Sequence, residues 1–416
     1  MSATTAAAVR AAAAADAILG VVPREVFSPA TVEEAAAVLG EKARSHARVG
    51  FIGGGTALGL GRPPRPLDAV LRTERLTRIV EHAPSDQIIA VEAGLTLAAL
   101  QTAVKAHGQR LALDSPLPER TTIGGLVATN AFGPRRTRYG SLRDLIIGVS
   151  LVRADGALAK GGGKVVKNVA GFDLPKMMVG SLGTLGLVAT ATFRLHPLPE
   201  MDVTLVVPER TARDVRNLVT AMRDAQLEPA AVAALSAGQL FDVGIRFEGF
   251  PAGVAEQRDR LVKLVGKTPG AACDALDEAA AAAFWARHDS ARTAGPLRAK
   301  VAMLPSALEE FFEGWSGALL RLLDAPAVVL YPTLGISFFS GVPSPDLGAV
   351  AAALASARAA LAPVGGSLVL EEAPDGVRAH TDPWGPAPAA FALMRELKDR
   401  LDPESRLNPG RFVGGL

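Results

Sequence analysis

Three glycine clusters in the first half of the chain constrain its fold more than any other feature. They are Gly53-Gly54-Gly55-Thr56-Ala57-Leu58, Thr122-Ile123-Gly124-Gly125 and Gly183-Thr184-Leu185-Gly186-Leu187-Val188. Lacking Cβ, glycine lets consecutive backbone N–H groups turn inward as a nest for phosphate oxygens. It also lets a flat ring lie against bare main chain, with polar side chains such as Thr122 and Asn130 nearby. Each cluster alone reads equally well as a tight turn that needs positive φ. Their joint order inside one half of the chain favours a site that wraps a large anionic ligand. A further stretch, Gly161-Gly162-Gly163-Lys164, leads into Lys167-Asn168-Val169-Ala170-Gly171-Phe172-Asp173-Leu174.

The first cluster is neither of the familiar phosphate signatures. It is not Gly-x-Gly-x-x-Gly with an acidic residue about twenty positions on, and no Lys-Ser or Lys-Thr pair follows it. At 416 residues the chain exceeds one comfortable core, which predicts two domains. Hydrophobic residues at 49% with 21% charged make it globular, and aromatics at 5% predict an aliphatic core. Forty-four basic against 42 acidic residues give +2, no electrostatic footprint for nucleic acid. The single cysteine, Cys273, excludes an internal disulfide and any iron–sulfur cluster ligated by this chain alone. A reducing cytoplasmic location fits that usage. No uninterrupted apolar run reaches membrane-spanning length. The alanine run from Ala6 to Ala15 reads as a short helix and not as a signal peptide.

Along the chain, Thr31 and Glu34 predict a capping box opening a helix over 32–48, followed by a buried strand at Arg48–Ile52. Strands are expected at Ala69–Arg72, Ile88–Ala93, Leu145–Val152 and Leu187–Leu195, with a helix at Thr96–His107. After Glu200 strands and helices alternate without glycine clusters, the pattern of a separate α+β domain. A final helix is expected at Ala389–Leu401 before Asn408-Pro409-Gly410.

As a set, these residues resemble flavoproteins of the vanillyl-alcohol-oxidase type, with a Gly-Gly-Thr pyrophosphate loop, a Thr-Ile-Gly-Gly segment and a Gly-Thr-Leu-Gly segment. Gly133-Pro134-Arg135-Arg136, Gly140-Ser141-Leu142-Arg143-Asp144 and Lys167–Leu174 narrow the likeness to the FAD-binding E subunits of bacterial glycolate oxidase (glycolate dehydrogenase). The resemblance implies an α+β chain: a helical extension over 1–28, a PCMH-type FAD-binding domain of two α/β subdomains over 29–200, a smaller α+β cap over 201–370, and a segment over 371–416 returning to the FAD domain. It implies that Gly53, Gly54, Gly55, Thr56, Ala57 and Leu58 wrap the pyrophosphate. Pro116, Thr122, Gly124, Gly125 and Asn130 would line the ribityl and ring portion, and Gly140, Gly183, Gly186 and Val188 would complete the cradle. FAD is expected to be non-covalent. Position 56 is threonine, no histidine lies between His46 and His82, and Cys273 falls in the cap.

Oxidising a 2-hydroxy acid needs a base for the hydroxyl proton and a cation for the carboxylate. The histidine-rich metal and substrate motif of catalytic relatives is absent, and no metal is expected. His46, His82, His107, His196, His288 and His380 stand alone in sequence and read as surface or capping residues. Arg298 and Lys300 could grip a carboxylate, or could be solvated strand-edge charges; Trp285 and Trp315 read as core or interface anchors. The implied assembly places this chain beside a catalytic D-type flavoprotein and an F-type iron–sulfur subunit, in the cytoplasm or peripheral to the inner face of the membrane. The alternatives are a self-sufficient FAD-dependent D-2-hydroxy acid (D-lactate) dehydrogenase and a scaffold without cofactor.

Overall fold

In the computed structural model, residues 7–164, 172–237, 239–268, 270–314 and 316–416 are described. The Lys167–Gly171 part of the motif above and Trp315 therefore lie outside the described residues. The chain divides into two compact units. The first comprises Met1–Phe132, Gly140–Leu198 and Pro386–Leu416; the second comprises Gly133–Tyr139 and Pro199–Gly385.

The first unit opens with four strands: β1 (Ala8–Ala11), β2 (Glu25–Ser28), β3 (Val49–Ile52) and β4 (Ala69–Arg72). They form a sheet in the order β1-β2-β4-β3, with β2, β4 and β3 parallel. The alanine run expected to be helical is thus β1, paired antiparallel with β2. Tertiary pairing overrides alanine's helix propensity here, reinforced by Asp16, whose buried carboxylate takes Arg10 and Arg72. The helix Val32–Arg44 connects β2 to β3, with Thr31 accepting from the Glu34 amide at 3.1 Å. The Glu34 carboxylate does not close the expected box; it accepts from the Ala30 amide at 2.8 Å, one residue earlier. Leu39, Val49, Leu71, Val152, Leu187 and Leu407 share the core beside this sheet.

A second sheet in this unit uses β5 (Ile79–Ala83), β6 (Ile88–Glu92), β8 (Ile146–Val152), β9 (Leu158–Gly162) and β10 (Leu187–Arg194), in the order β5-β6-β10-β8-β9 and antiparallel throughout. A short ladder pairs β7 (Gln109–Arg110) with β11 (His196–Pro197). The alternating buried residues of β10 predict its one-sided packing.

The second unit is built on an eight-stranded sheet: β12 (Met201–Arg210), β13 (Ala231–Ala237), β14 (Leu240–Gly249), β15 (Asp274–Ala275), β16 (Leu297–Ala302), β17 (Leu323–Tyr331), β18 (Ile336–Pro343) and β19 (Ser367–Glu372), ordered β15-β12-β14-β13-β17-β18-β16-β19. Leu297, Ala299 and Val301 of β16 enter a core shared with Val215, Leu261 and Leu354 from the helices Ala212–Asp224, Pro251–Val265 and Leu347–Leu361. By length and composition Leu347–Val364 could cross a membrane, with a mean hydropathy of 1.6; Val350, Leu354, Ala357 and Leu361 instead form its stripe in this core. The segment Gly133–Tyr139 is anchored in this unit by Arg135 Nη2 to Glu248 Oε1 at 2.9 Å and by Thr137 to Thr333 at 2.8 Å.

Candidate functional site

The three glycine clusters converge in the first unit on one open cleft. Gly53 to Leu58 follow β3 directly, so a buried parallel strand aims the loop. Thr122 joins this loop to the second cluster. Its hydroxyl caps the helix Ile123–Thr129 by accepting from the Gly125 amide at 3.3 Å, and also takes the Gly54 amide at 3.4 Å. Its two acceptor positions are thus taken by protein amides, and its proton is left to donate. Two clashes explain the glycines. A Cβ on Gly54 would sit 1.6 Å from the Arg120 carbonyl oxygen, and one on Gly124 2.8 Å from the Ala93 Cβ.

The third cluster hangs from the same helix: the Gly180 amide donates to Val127 O and the Leu182 amide to Ala128 O, both at 2.8 Å. Asn408 ties it back to the first strand. Its Oδ1 accepts from the Phe51 amide at 3.2 Å, its Nδ2 donates to Leu182 O at 2.8 Å, and its own amide donates to Val49 O at 2.9 Å. Lys398 is buried behind this turn and gives its three protons to Thr184 O, Asp402 Oδ2 and Leu407 O. Burial lowers its pKa and Asp402 opposes that. Arg411 also lines the cleft and donates to Leu58 O at 3.0 Å.

Of the residues expected from sequence, Gly53 to Leu58, Thr122, Gly124, Gly125, Gly183, Gly186 and Val188 line the cleft together. Pro116, Asn130 and Gly140 lie outside its lining. Asn130 ends the helix Ile123–Thr129 at φ 52, and Gly140, at φ 79, sits against Asp144. Phe51, Thr73, Leu182, Asn408 and Arg411 were not singled out as site residues and do line it. Asn408 had a signal in its Asn-Pro-Gly context; Thr73 and Arg411 had none.

The lining fits a diphosphate-bearing ligand with a planar ring. Among the described residues the amides of Gly55, Thr56, Ala57 and Leu58 make no hydrogen bond, four successive donors at the mouth of an otherwise apolar cleft. The Thr73 hydroxyl is buried in the wall without a partner among the described residues. Among the described residues no histidine, cysteine or tyrosine lines the cleft. Cys273 belongs to the other unit, where burial pushes its thiol up to about 11.

Within the second unit, Arg298 and Lys300 are not edge charges, because β16 runs between β18 and β19. They leave the sheet on the face opposite the helix-covered core. Arg292 bonds Glu371 at 3.2 Å and stacks 3.2 Å above the Phe338 ring centroid, while Arg298 bonds Glu372 at 3.3 Å. Burial lowers the Lys300 pKa, Arg292 and Arg136 add to that, and Glu371 opposes it. His288 is likewise no surface residue: it is 2% exposed, with Asp289 at 2.9 Å and the buried Tyr331 hydroxyl at 2.8 Å. Among the described residues no group of three or more His, Cys, Asp or Glu is placed to hold a metal ion.

Comparison with known proteins places this geometry. Residues 23–162 match the family model described as FAD binding domain. The structure is similar to p-cresol methylhydroxylase, with TM-score 0.73 at 15% identity over 94% of this chain and 88% of that one. It is equally similar to alkyldihydroxyacetonephosphate synthase, with TM-score 0.73 at 15% identity over 94% and 78%. The fold is therefore the PCMH-type FAD-binding fold with an α+β second unit, and the cofactor is FAD.

In sequence the chain is similar to D-lactate dehydrogenase of Archaeoglobus fulgidus, 36% identical over 47% of this chain and 43% of that protein. It is also similar to glycolate oxidase subunit GlcE of Escherichia coli, 33% identical over 49% and 56%. The chain thus spans about half the length of these curated relatives. An uncharacterized FAD-linked oxidoreductase of Mycobacterium tuberculosis matches nearly end to end, 27% identical over 94% of this chain and 91% of that one.

Proposed function

We propose that this chain is an FAD-dependent oxidoreductase that serves as the FAD-holding subunit of a glycolate-oxidising, or more broadly 2-hydroxy acid-oxidising, dehydrogenase complex. The observation that carries it is the cleft in which Thr122 and Asn408 bind three glycine turns into one wall. FAD bound there supplies two-electron acceptance from the acid and stepwise release to a relay. In this reading the amides of Gly55 to Leu58 hold the pyrophosphate. Thr122 and Asn408 keep the turns at fixed separation, and Gly124 and Gly125 let the ring lie against backbone. Gly183, Gly186 and Val188 close the far wall. Pro116, Asn130 and Gly140 lie outside the cleft lining and in this reading meet the part of FAD that extends beyond it, toward the Asn130 Oδ1, which is buried without a partner among the described residues. In this reading attachment is non-covalent, since among the described residues no histidine, cysteine or tyrosine lines the cleft.

The histidine-rich substrate motif is missing from the sequence, so turnover is assigned to a D-type catalytic flavoprotein and onward transfer to an F-type iron–sulfur subunit, in the cytoplasm. A second reading, a self-sufficient D-2-hydroxy acid dehydrogenase, has its own support in the partly buried cations Arg292, Arg298 and Lys300, which suit an acid's carboxylate. One experiment separates the readings. The purified chain is denatured in acid and the supernatant scanned for FAD; the native chain is then mixed anaerobically with glycolate or D-lactate. Released FAD with no bleaching supports the subunit, and bleaching by either acid supports self-sufficient turnover. A chain that neither retains nor rebinds FAD would overturn both.

A further inference from the structure

Three carbonyls at the C-terminal end of the first glycine loop are taken by the protein itself. The Ala57 carbonyl accepts from the Leu60 amide at 3.2 Å. Those of Leu58 and Leu60 both accept from Arg411 Nη2, the first at 3.0 Å. Arg411 is 3% exposed and lines the cleft. It reaches the loop because the end of the chain runs beside it: the Arg62 amide donates to the Arg411 carbonyl at 3.0 Å and the Arg65 amide to the Pro409 carbonyl at 2.8 Å.

A phosphate that enters such a loop meets two kinds of backbone group. Amide hydrogens attract it and carbonyl oxygens repel it, so a nest holds an anion best when its carbonyls are committed to other donors. Those of Ala57, Leu58 and Leu60 are committed, two of them to one guanidinium. Charge points the same way. Residues 53–67 and 407–416 carry Arg62, Arg65 and Arg411 and no acidic side chain, three positive charges in a chain whose 44 basic and 42 acidic residues leave +2 overall. Of these three arginines, Arg411 lines the cleft. In a wall that is otherwise apolar a guanidinium attracts an anion more strongly than it does in water, because the surrounding dielectric is lower.

We infer that Arg411 is a positioning residue for the cofactor's diphosphate, a role that rests on the reading in which the Gly55 to Leu58 amides hold the pyrophosphate. It engages the carbonyls that end the nest, and it sets a fixed positive charge beside the amides that receive the anion. The flavin ring has no part in this. ADP alone should therefore bind the chain when flavin is removed, and Arg411 should matter to ADP as much as to FAD.

The test titrates FAD, by fluorescence, and ADP, by calorimetry, into the full-length chain stripped of flavin. Both should bind. Arg411→Gln keeps a donor for the carbonyls and loses the charge, and should weaken both about tenfold or more. Arg411→His asks the same question within one protein, since its imidazole gains and loses its charge near pH 6.5, the ordinary value of about 6.5 for histidine. The diphosphate of FAD keeps its charge throughout that range. FAD should bind Arg411→His with near-native strength at about pH 5.5 and as weakly as Arg411→Gln at about pH 8, while the native chain stays flat. A purely structural role gives no such profile. If circular dichroism shows that Arg411→Gln does not fold, the profile of Arg411→His decides alone. Native affinity in Arg411→Gln, a flat profile in Arg411→His, or an effect on FAD without one on ADP overturns the role of Arg411 and leaves the cofactor reading standing. A native chain that binds neither FAD nor ADP overturns the cofactor reading itself.

Discussion

Asn408 holds a left-handed φ of 43 while its side chain bonds the Phe51 amide and the Leu182 carbonyl. Asparagine is among the residues that tolerate that conformation, and no shorter side chain spans both partners. Asn408→Ala strands one buried and one part-buried backbone group and adds left-handed strain, which should cost about 2–4 kcal/mol of stability. Urea denaturation would measure it, and a fluorescence titration should show FAD affinity falling tenfold or more. Gly54→Ala tests a different cause. Its Cβ would meet the Arg120 carbonyl, a backbone atom that cannot swing aside, so the first loop must move. The expected product is a folded chain that no longer retains FAD, checked by the ratio of flavin to protein absorbance with circular dichroism as the fold control. The glycines of the cleft were legible in sequence because their chemistry is local. Arg411 and Lys398 were not legible as site residues, and Asn408 only through its Asn-Pro-Gly context, because their partners Leu58, Thr184 and Phe51 lie hundreds of positions away.

Among the elements, strands with alternating or continuous apolar runs, such as β3, β8 and β10, fall where the sequence pattern places them. Failures occur where a partner decides the outcome. Ala8–Ala11 is a strand because β2 offers an edge, and Gly133–Tyr139 groups with residues far downstream because Arg135 finds the buried Glu248. The two-residue ladder of β7 and β11 makes a pH prediction. Burial pushes the His196 imidazole down to about 4, with Arg194 and Arg110 adding to the shift. The unfolded chain, with a histidine near its ordinary pKa of about 6.5, binds the proton first. This contribution is therefore complete above about pH 6.5 and is lost as pH falls toward 4. Urea midpoints for the native chain and His196→Gln should diverge above pH 6.5 and converge near pH 4. A constant difference across that range would count against the assignment.

At the level of the whole molecule, each unit owns its hydrophobic core: one around Leu39, Val49 and Leu71, the other around Val215, Leu261, Phe339 and Leu354. The cleft proposed for FAD is lined, among the described residues, by the first unit, so FAD bound there should stabilise that unit by about 2.7 kcal/mol at a hundredfold excess over Kd. Scanning calorimetry with and without FAD should move one melting component and leave the other in place. A uniform shift of the entire endotherm would contradict independent cores.

The chain order of the first unit has a consequence for its birth on the ribosome. Gly53 to Val188 are translated early, but Lys398, Asn408 and Arg411 follow only after the second unit has been made. At about 5–20 residues per second, the glycine turns emerge many seconds before the side chains that clasp them. If those residues hold the cofactor site together, ribosome-stalled chains ending before residue 386 should leave cofactor in solution however long they wait.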